Sequence, residues 1–394
     1  MLYCLFMAYA MGSSAQQYTP ITIDKAIELA LQQDPSMLLA DLKVSQNDKL
    51  SLAGVPNQST QIFLSGDEFN FEGISGVQSL NIQQTFNMPK VSQSYKNYYK
   101  AQMAKSSHLK VLTRKDIVRN VELAYFRLVI TKKELALSTE TETIYGAFYN
   151  RSKEAYESGE SNKLSFVSSQ TLLKKARLNI DHASHELEIA REIFNMWLGQ
   201  ESNYDVETIG DPILQNMDFD EAKINPHLSM YQYEREIIQK NIEMQKSRLL
   251  PKLNTGLKLQ SVNGDLLYFG YQIGVNVPLF RGAYNQKLEA ARVSLDIVGA
   301  ERKIKEREIN RKTLKLKSHL KHLLEKIDFY DIELLPSINE QVTLQKEAYQ
   351  LGEGSYVEYM MSIESYNNLK TERLEMIEDF YINSIELKYW TEVK

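Results

Sequence analysis

Lys153-Glu154-Ala155-Tyr156-Glu157-Ser158-Gly159-Glu160 is answered by Lys346-Glu347-Ala348-Tyr349-Gln350-Leu351-Gly352-Glu353, an offset of 193 residues. Each copy lies between a long charged helical pattern and a shorter one, so each reads as the tight turn of an antiparallel helical hairpin. The same offset carries Trp197 onto Trp390 without a gap, which keeps the register to the end of the hairpin. A repeat nearly half the chain long points to a duplicated unit rather than a stack of short solenoid repeats.

Eight of the nine prolines fall into pairs at nearly that spacing: Pro20 with Pro212, Pro35 with Pro226, Pro56 with Pro251 and Pro89 with Pro278. Proline fixes φ, lacks a donor and turns the preceding residue away from helix, so it marks element boundaries. Pro56, Pro89, Pro251 and Pro278 read as the junctions between strands and helices. Pro336 has no counterpart and predicts a kink in the second half alone. The expected organisation is a first repeat over 16–198, a linking segment over 199–221 and a second repeat over 222–394.

The 394 residues carry a net charge of −5, with 25% charged side chains. Basic residues are spread along helical faces rather than gathered in a patch, which argues against nucleic acid as a partner. Beyond the first eleven residues no apolar run approaches the roughly 20 residues of a membrane helix. That excludes a helical membrane protein but not a β-barrel, whose strands are short and weakly hydrophobic. Met1 to Ala15 reads as a signal peptide, with an apolar core over Leu2 to Met11 and cleavage expected before Gln16. It lacks a positive front end, so the true start is expected upstream. Cys4, the single cysteine, follows Tyr3 and does not fit a lipid-attachment site. The mature chain would then hold no disulfide.

Thr22 is a fitting N-cap for a first helix, with Ile23, Ala26, Ile27, Ala30 and Leu31 on one stripe. Asp34-Pro35 interrupts it, and a second helix runs from about Ser36 to Ala53. Between Pro56 and Pro89 the period falls to two: Leu80, Ile82, Gln84, Phe86 and Met88 alternate with polar residues, and Gln61 to Phe71 reads as the partner strand. The second copy is plainer. Leu253, Thr255, Leu257 and Leu259 share one face, and Leu267 to Leu279 reads as a 13-residue strand, with Asn263-Gly264 as the hairpin signal. Ordinary strands have about 5–6 residues and tilted membrane-spanning strands about 9–11. One greasy face opposite Gly, Asn and Gln suits lipid on one side and water on the other.

Four strands cannot close, and a bilayer tolerates no open edge, because each unpaired backbone group there costs several kcal/mol. Transmembrane barrels have at least about 8 strands, so at least two chains would have to share one barrel. After each strand pair comes a very long helical pattern, about Lys90 to Tyr156 and Gly282 to Tyr349. Each would span on the order of 100 Å at ~1.5 Å per residue. The return helices, Asn162 to Leu198 and Tyr356 to Thr391, are little more than half as long. The helices Ile23 to Ala53 and Pro226 to Leu249 supply the missing length. Val118, Val121, Ala124, Tyr125, Leu128 and Val129 form a stripe broader than a coiled-coil seam, as a helix with neighbours on both sides needs.

On these residues the chain resembles the TolC family of outer-membrane efflux proteins. The matching stretches are Ile21 to Leu31 with Asp34-Pro35, the strand end Val277-Pro278-Leu279-Phe280-Arg281-Gly282, and the turns Tyr156…Gly159 and Tyr349…Gly352. The resemblance implies a mainly α fold with a transmembrane β part: a long helical barrel, and four strands per chain completing a 12-stranded barrel in a homotrimer. It also implies an outer-membrane position, helices in the periplasm, and tips that dock a periplasmic adaptor and an inner-membrane pump. Gln84-Thr85-Phe86-Asn87-Met88-Pro89 and the loop at Gly66-Asp67-Glu68-Phe69-Asn70 are most similar to the heavy-metal resistance-nodulation-division branch.

Members of that family close the pore with acidic residues after the second tip turn. Glu358, six after the glycine, matches in charge; Met361, nine after, does not, and the first copy has Ser165 and Ser168 at those places. One ring of three Glu358 carboxylates is therefore the expected periplasmic gate, with mutual repulsion raising their pKa values and attracting cations. Gly159, Glu160, Gly352 and Glu353 are the adaptor-docking candidates, although glycine at both turns also serves a helix C-terminus. His182-x-x-His185 and His319-x-x-His322 have a chelating spacing but no third ligand nearby, and read as solvated surface pairs. Met360-Met361 offers soft sulfur but reads as packing. No phosphate loop, nucleophile elbow or cysteine-histidine set is present, so neither a catalytic function nor a cofactor is expected. Two rival readings remain: a drug-efflux or type I secretion channel, and a soluble elongated helical scaffold.

Overall fold

A computed structural model describes residues 18–67, 76–199, 203–207, 225–262, 264 and 267–391. The expected signal peptide with Cys4, the loop beyond Asp67, Asn263 and Gly210-Asp211-Pro212 lie outside them. The elements in order are β1 (Thr19–Ile21), α1 (Ile23–Gln33), α2 (Pro35–Ala53), β2 (Gln61–Asp67), β3 (Val77–Phe86), α3 (Pro89–Glu157), α4 (Lys163–Leu198), β4 (Tyr204–Val206), α5 (Pro226–Ser247), β5 (Lys252–Val262), β6 (Leu267–Asn276), α6 (Gly282–Phe329), a π-helical turn (Tyr330–Leu334), α7 (Leu335–Leu351) and α8 (Tyr356–Thr391). The return helices α4 and α8 have 36 residues each, and α3 has 69 where α6, the π turn and α7 have 48, 5 and 17.

Two compact units emerge, and α3 and α6 each contribute to both. One comprises the described residues of 1–34, 116–218 and 315–389. Here Thr22 caps α1 by accepting from the Lys25 amide at 3.4 Å, and Ala26 and Ala30 are buried. Small side chains on the buried stripe let α1 lie close to α4. α3 packs on a wide arc, with Ile117, Val121, Tyr125, Leu128 and Ile130 all buried. Tyr125 meets Phe194 of α4 edge to face at 5.8 Å, and Phe126 stacks on Tyr381 of α8 at 4.1 Å, geometries that aromatic quadrupoles favour. The buried Glu122 carboxylate accepts from Lys388 at 2.7 Å, and Tyr389 donates to Asp116 at 2.6 Å.

β1 and β4 form a two-stranded parallel sheet in the same unit, Thr19 opposite Tyr204 and Ile21 opposite Val206. The linking segment of the sequence reading therefore holds a strand. Asn195 fixes it by accepting from the Tyr204 amide at 2.7 Å and donating to the Tyr204 carbonyl at 2.9 Å. Asp205 pairs with Lys132 at 3.1 Å and Arg191 at 3.3 Å.

The other unit comprises the described residues of 35–115 and 219–314, with Trp390 and Thr391. Asn47 donates to Ser106 at 2.9 Å, Lys110 pairs with Asp41, and Lys105 pairs with Glu234 at 2.8 Å, tying α2 and α5 to α3. The hydroxyls of Ser94 and Ser247 meet at 2.7 Å in a buried α3–α5 contact. The four-stranded antiparallel sheet runs β2-β3-β5-β6.

The strand expected over 13 residues has 10, Leu267–Asn276. Its ladder ends with Asn276 opposite Lys252 because β5 begins directly after Pro251, and Pro278 could donate no further bond. The single helix expected from Gly282 to Tyr349 is divided: the π turn comes just before Pro336, where a missing N–H and a bulky ring exclude a regular ladder.

Candidate functional site

Directly opposed residues of an antiparallel ladder share a face. One face of the sheet carries the rows Leu64-Leu80-Leu259-Phe269, Ile62-Ile82-Leu257-Tyr271 and Phe86-Leu253-Val275. The other carries Ser65-Ser79-Gln260, Asn81-Lys258-Gly270, Gln83-Gly256-Gln272 and Thr85-Asn254-Gly274, with Phe63, Tyr268, Val77 and Val262 as its apolar exceptions. Burial is inverted relative to a water-soluble sheet. Leu64 and Tyr271 are each 80% exposed, whereas Ser79 is 3% and Asn254 7% exposed. The polar face is also knitted together: the Ser65 and Ser79 hydroxyls lie 2.9 Å apart, and Asn81 donates to Ser65 at 2.9 Å. A greasy patch of this extent marks a surface covered by lipid or protein. β2 and β6 leave one open edge each.

The tips lie in the first unit. Gly159 and Gly352 take φ of 80° and 79°, the left-handed conformation that ends a helix. The Glu353 and Gly354 amides both reach back to the Ala348 carbonyl, at 3.0 and 2.9 Å, as the Ser161 amide does to Ala155 at 2.9 Å. Asn162 then caps α4 by accepting from the Ser165 amide at 2.9 Å, and Ser355 accepts from the Val357 amide at 3.2 Å. Gly159, Glu160, Gly352, Glu353 and Glu358 are all exposed, and Met361 is exposed beside buried Met360. Met360 belongs to a core with Tyr145, Phe148, Leu173, Tyr359 and Ile363 that ties the two hairpins together. Phe148 of α3 lies 5.0 Å from Tyr356, 5.8 Å from Tyr349 and 6.0 Å from Tyr359, centroid to centroid. Burial of the Tyr359 and Tyr356 phenols raises their pKa values.

Farther along α3, a polar cleft of about 550 Å³ opens between α3, α4 and α8. Arg127 pairs there with Glu378 at 2.9 Å and with Glu134 and Glu186 at 3.8 Å each. Glu134 has a raised pKa: burial is the main cause, repulsion from Glu378, Glu186 and Glu375 adds to it, and Arg127 opposes it. His182 lines the cleft, yet both it and His185 are exposed, as are His319 and His322. Among the described residues no group of three or more His, Cys, Asp or Glu is placed to hold a metal ion. No described helix is long and apolar enough to cross a membrane.

Comparison with solved structures finds the same arrangement along nearly the whole chain. CusC, solved in work on conformational changes accompanying folding and transmembrane channel formation, aligns with a TM-score of 0.79 at 17% identity, covering 95% of this chain and 93% of that one. The chain has the TolC-type channel fold. The Campylobacter jejuni CmeC outer membrane channel aligns at 0.76 with 13% identity, covering 99% and 93%, and the Vibrio cholerae outer membrane protein VceC at 0.75 with 12%, covering 93% and 95%. No family profile matches the sequence. A comparison with curated proteins finds no relative. In this TolC-type fold Pro56, Pro89, Pro251 and Pro278 stand at the junctions of the four-stranded sheet with its helices, Pro89 opening α3 itself. The β1–β4 pair escapes sequence reading because three residues are too few to show a period of two.

Proposed function

We propose that the chain is the outer-membrane channel of a tripartite efflux system, a homotrimer whose twelve strands close one barrel in lipid while its helices stand in the periplasm. The observation that carries this is the inverted sheet: Ser79 and Asn254 covered on the polar face, aliphatic and aromatic side chains bare on the other, and an open edge on β2 and on β6. Bare edges are prohibitive in a bilayer, so copies must pair β6 to β2. The two halves, 16–198 and 222–394 joined by 199–221, are read as structural repeats, supported by the recurring order of elements and the equal lengths of α4 and α8.

The channel does no chemistry; the partner pump supplies the energy. Exposed Gly159, Glu160, Gly352 and Glu353 dock the periplasmic adaptor, and three Glu358 carboxylates form the gate at the periplasmic mouth. We assign heavy-metal cations as cargo, delivered by a pump of the resistance-nodulation-division class. The likeness of Gln84 to Pro89 to that branch and the similarity to CusC support this.

The test is deletion and complementation in the native host, together with membrane fractionation. Recovery in the outer membrane, and sensitivity to copper, silver, zinc or cobalt salts that the intact gene reverses, are expected. Sensitivity confined to dyes and antibiotics would move the cargo to drugs. A mature chain that is a monomer soluble without detergent would end the channel reading.

A further inference from the structure

A pocket of about 740 Å³ lies where the sheet meets its helices, within the second compact unit. Arg248, at the end of α5, and Lys252, the first residue of β5, both line it, and among the described residues no carboxylate does. The chain as a whole is acidic, at −5, so two cations facing one acid-free cavity stand out. Arg248 is held rather than free to swing: its Nε donates to the Tyr95 hydroxyl at 2.8 Å, and its guanidinium lies 5.5 Å from the Tyr95 ring centroid. That leaves the two terminal nitrogens for another acceptor. Among the described residues the half-buried Lys252 ammonium has no ion-pair or hydrogen-bond partner. A held guanidinium beside an unpaired ammonium is an anion site, and the guanidinium fork suits phosphate oxygens.

The surroundings are those of an amphiphile. Lys252 and Asn276 come from the polar face of the sheet and Val275 from the greasy one, so the pocket, which Val277 also lines, lies at the end of the strands where both faces contribute. The chain leaving that strand presents Leu279 and Phe280, the latter 93% exposed. Tyr284, also in the lining, supplies the kind of ring that settles at a membrane–water interface.

We propose that this pocket holds the phosphate of a membrane glycerophospholipid whose acyl chains lie along the apolar face of β6. The inference rests on the reading of the sheet as membrane-spanning. It goes beyond that reading by naming a ligand, two anchoring residues and a position at the strand–helix junction.

The test uses the full chain, purified in detergent and stripped of lipid, then titrated with dioleoylphosphatidylglycerol and, separately, with inorganic phosphate, bound molecules being counted by native mass spectrometry. Wild type should bind the lipid at least about tenfold more tightly than the double variant Arg248→Ala/Lys252→Ala. Tyr95→Phe, which frees Arg248 without emptying the packing, should cost about threefold, and Lys303→Ala, an exposed α6 lysine outside the pocket, nothing. Equal lipid binding by wild type and the double variant, with both still inserting into vesicles, would overturn the site and leave the channel reading standing. Inorganic phosphate binding as tightly as the lipid would also overturn it, showing a site for free anions. A chain that fails to enter vesicles would remove both.

Discussion

At the residue scale the tips turn on two glycines. A β-carbon on Gly352 would meet nothing within 4 Å, so only its φ of 79° penalises substitution. Gly352→Ala should lower stability by about 1 kcal/mol through left-handed strain. Gly299→Ala, in open space inside α6 with ordinary helical φ, should raise it by about 0.5–1 kcal/mol. Thermal unfolding of the two variants in detergent checks both signs. These turns were legible in the sequence because a positive φ leaves few residue types to choose from. The gate proposed at Glu358 was not, since an exposed acid on one chain says nothing of what faces it from another. Glu358→Ala should raise resting conductance in planar bilayers and weaken block by divalent cations; unchanged traces would dismiss the gate.

At the element scale, α3, α4 and α8 meet around Arg127. The raised pKa of Glu134 means that the folded protein holds its proton more tightly than the unfolded chain does. This group therefore weakens folding above its folded pKa, and stability recovers as pH falls through that value toward the unfolded one. Glu134→Gln should raise the unfolding midpoint at neutral pH and remove that part of the acid-side gain. Arg127→Met leaves the neighbouring carboxylates uncompensated, so its cost should be greater at pH 8 than at pH 5. Denaturant titrations at the two pH values decide both. In the sheet, Ile273→Arg on the greasy face should cost about 2–4 kcal/mol if that residue sits at mid-membrane. Gln272→Arg, its neighbour on the other face, should insert normally into vesicles. The alternation that predicts this was plain in the sequence. The end of β6 was not, because alternation continued to Leu279 while the hydrogen-bond partner stopped at Lys252. Strand length belongs to two strands, and one pattern shows only one of them.

For the whole molecule, the open edges of β2 and β6 call for further copies, and the proposed channel has three. Mass photometry in detergent should find three chains per particle, and pairs of cysteines placed on β2 and β6 should crosslink between copies but not within one. The element boundaries were readable from a single chain because the paired prolines and the paired tip turns mark them twice. Pro336 signalled where the halves part ways, and the chain answered with a widened helical turn in the second half, where the first has plain α-helix. Three copies of a perfectly doubled chain would present six interchangeable stations to whatever couples to their ends. In the trimer proposed above, that irregularity would fall in every second stave, so the stations would come in two alternating kinds and a coupling protein could tell neighbours apart.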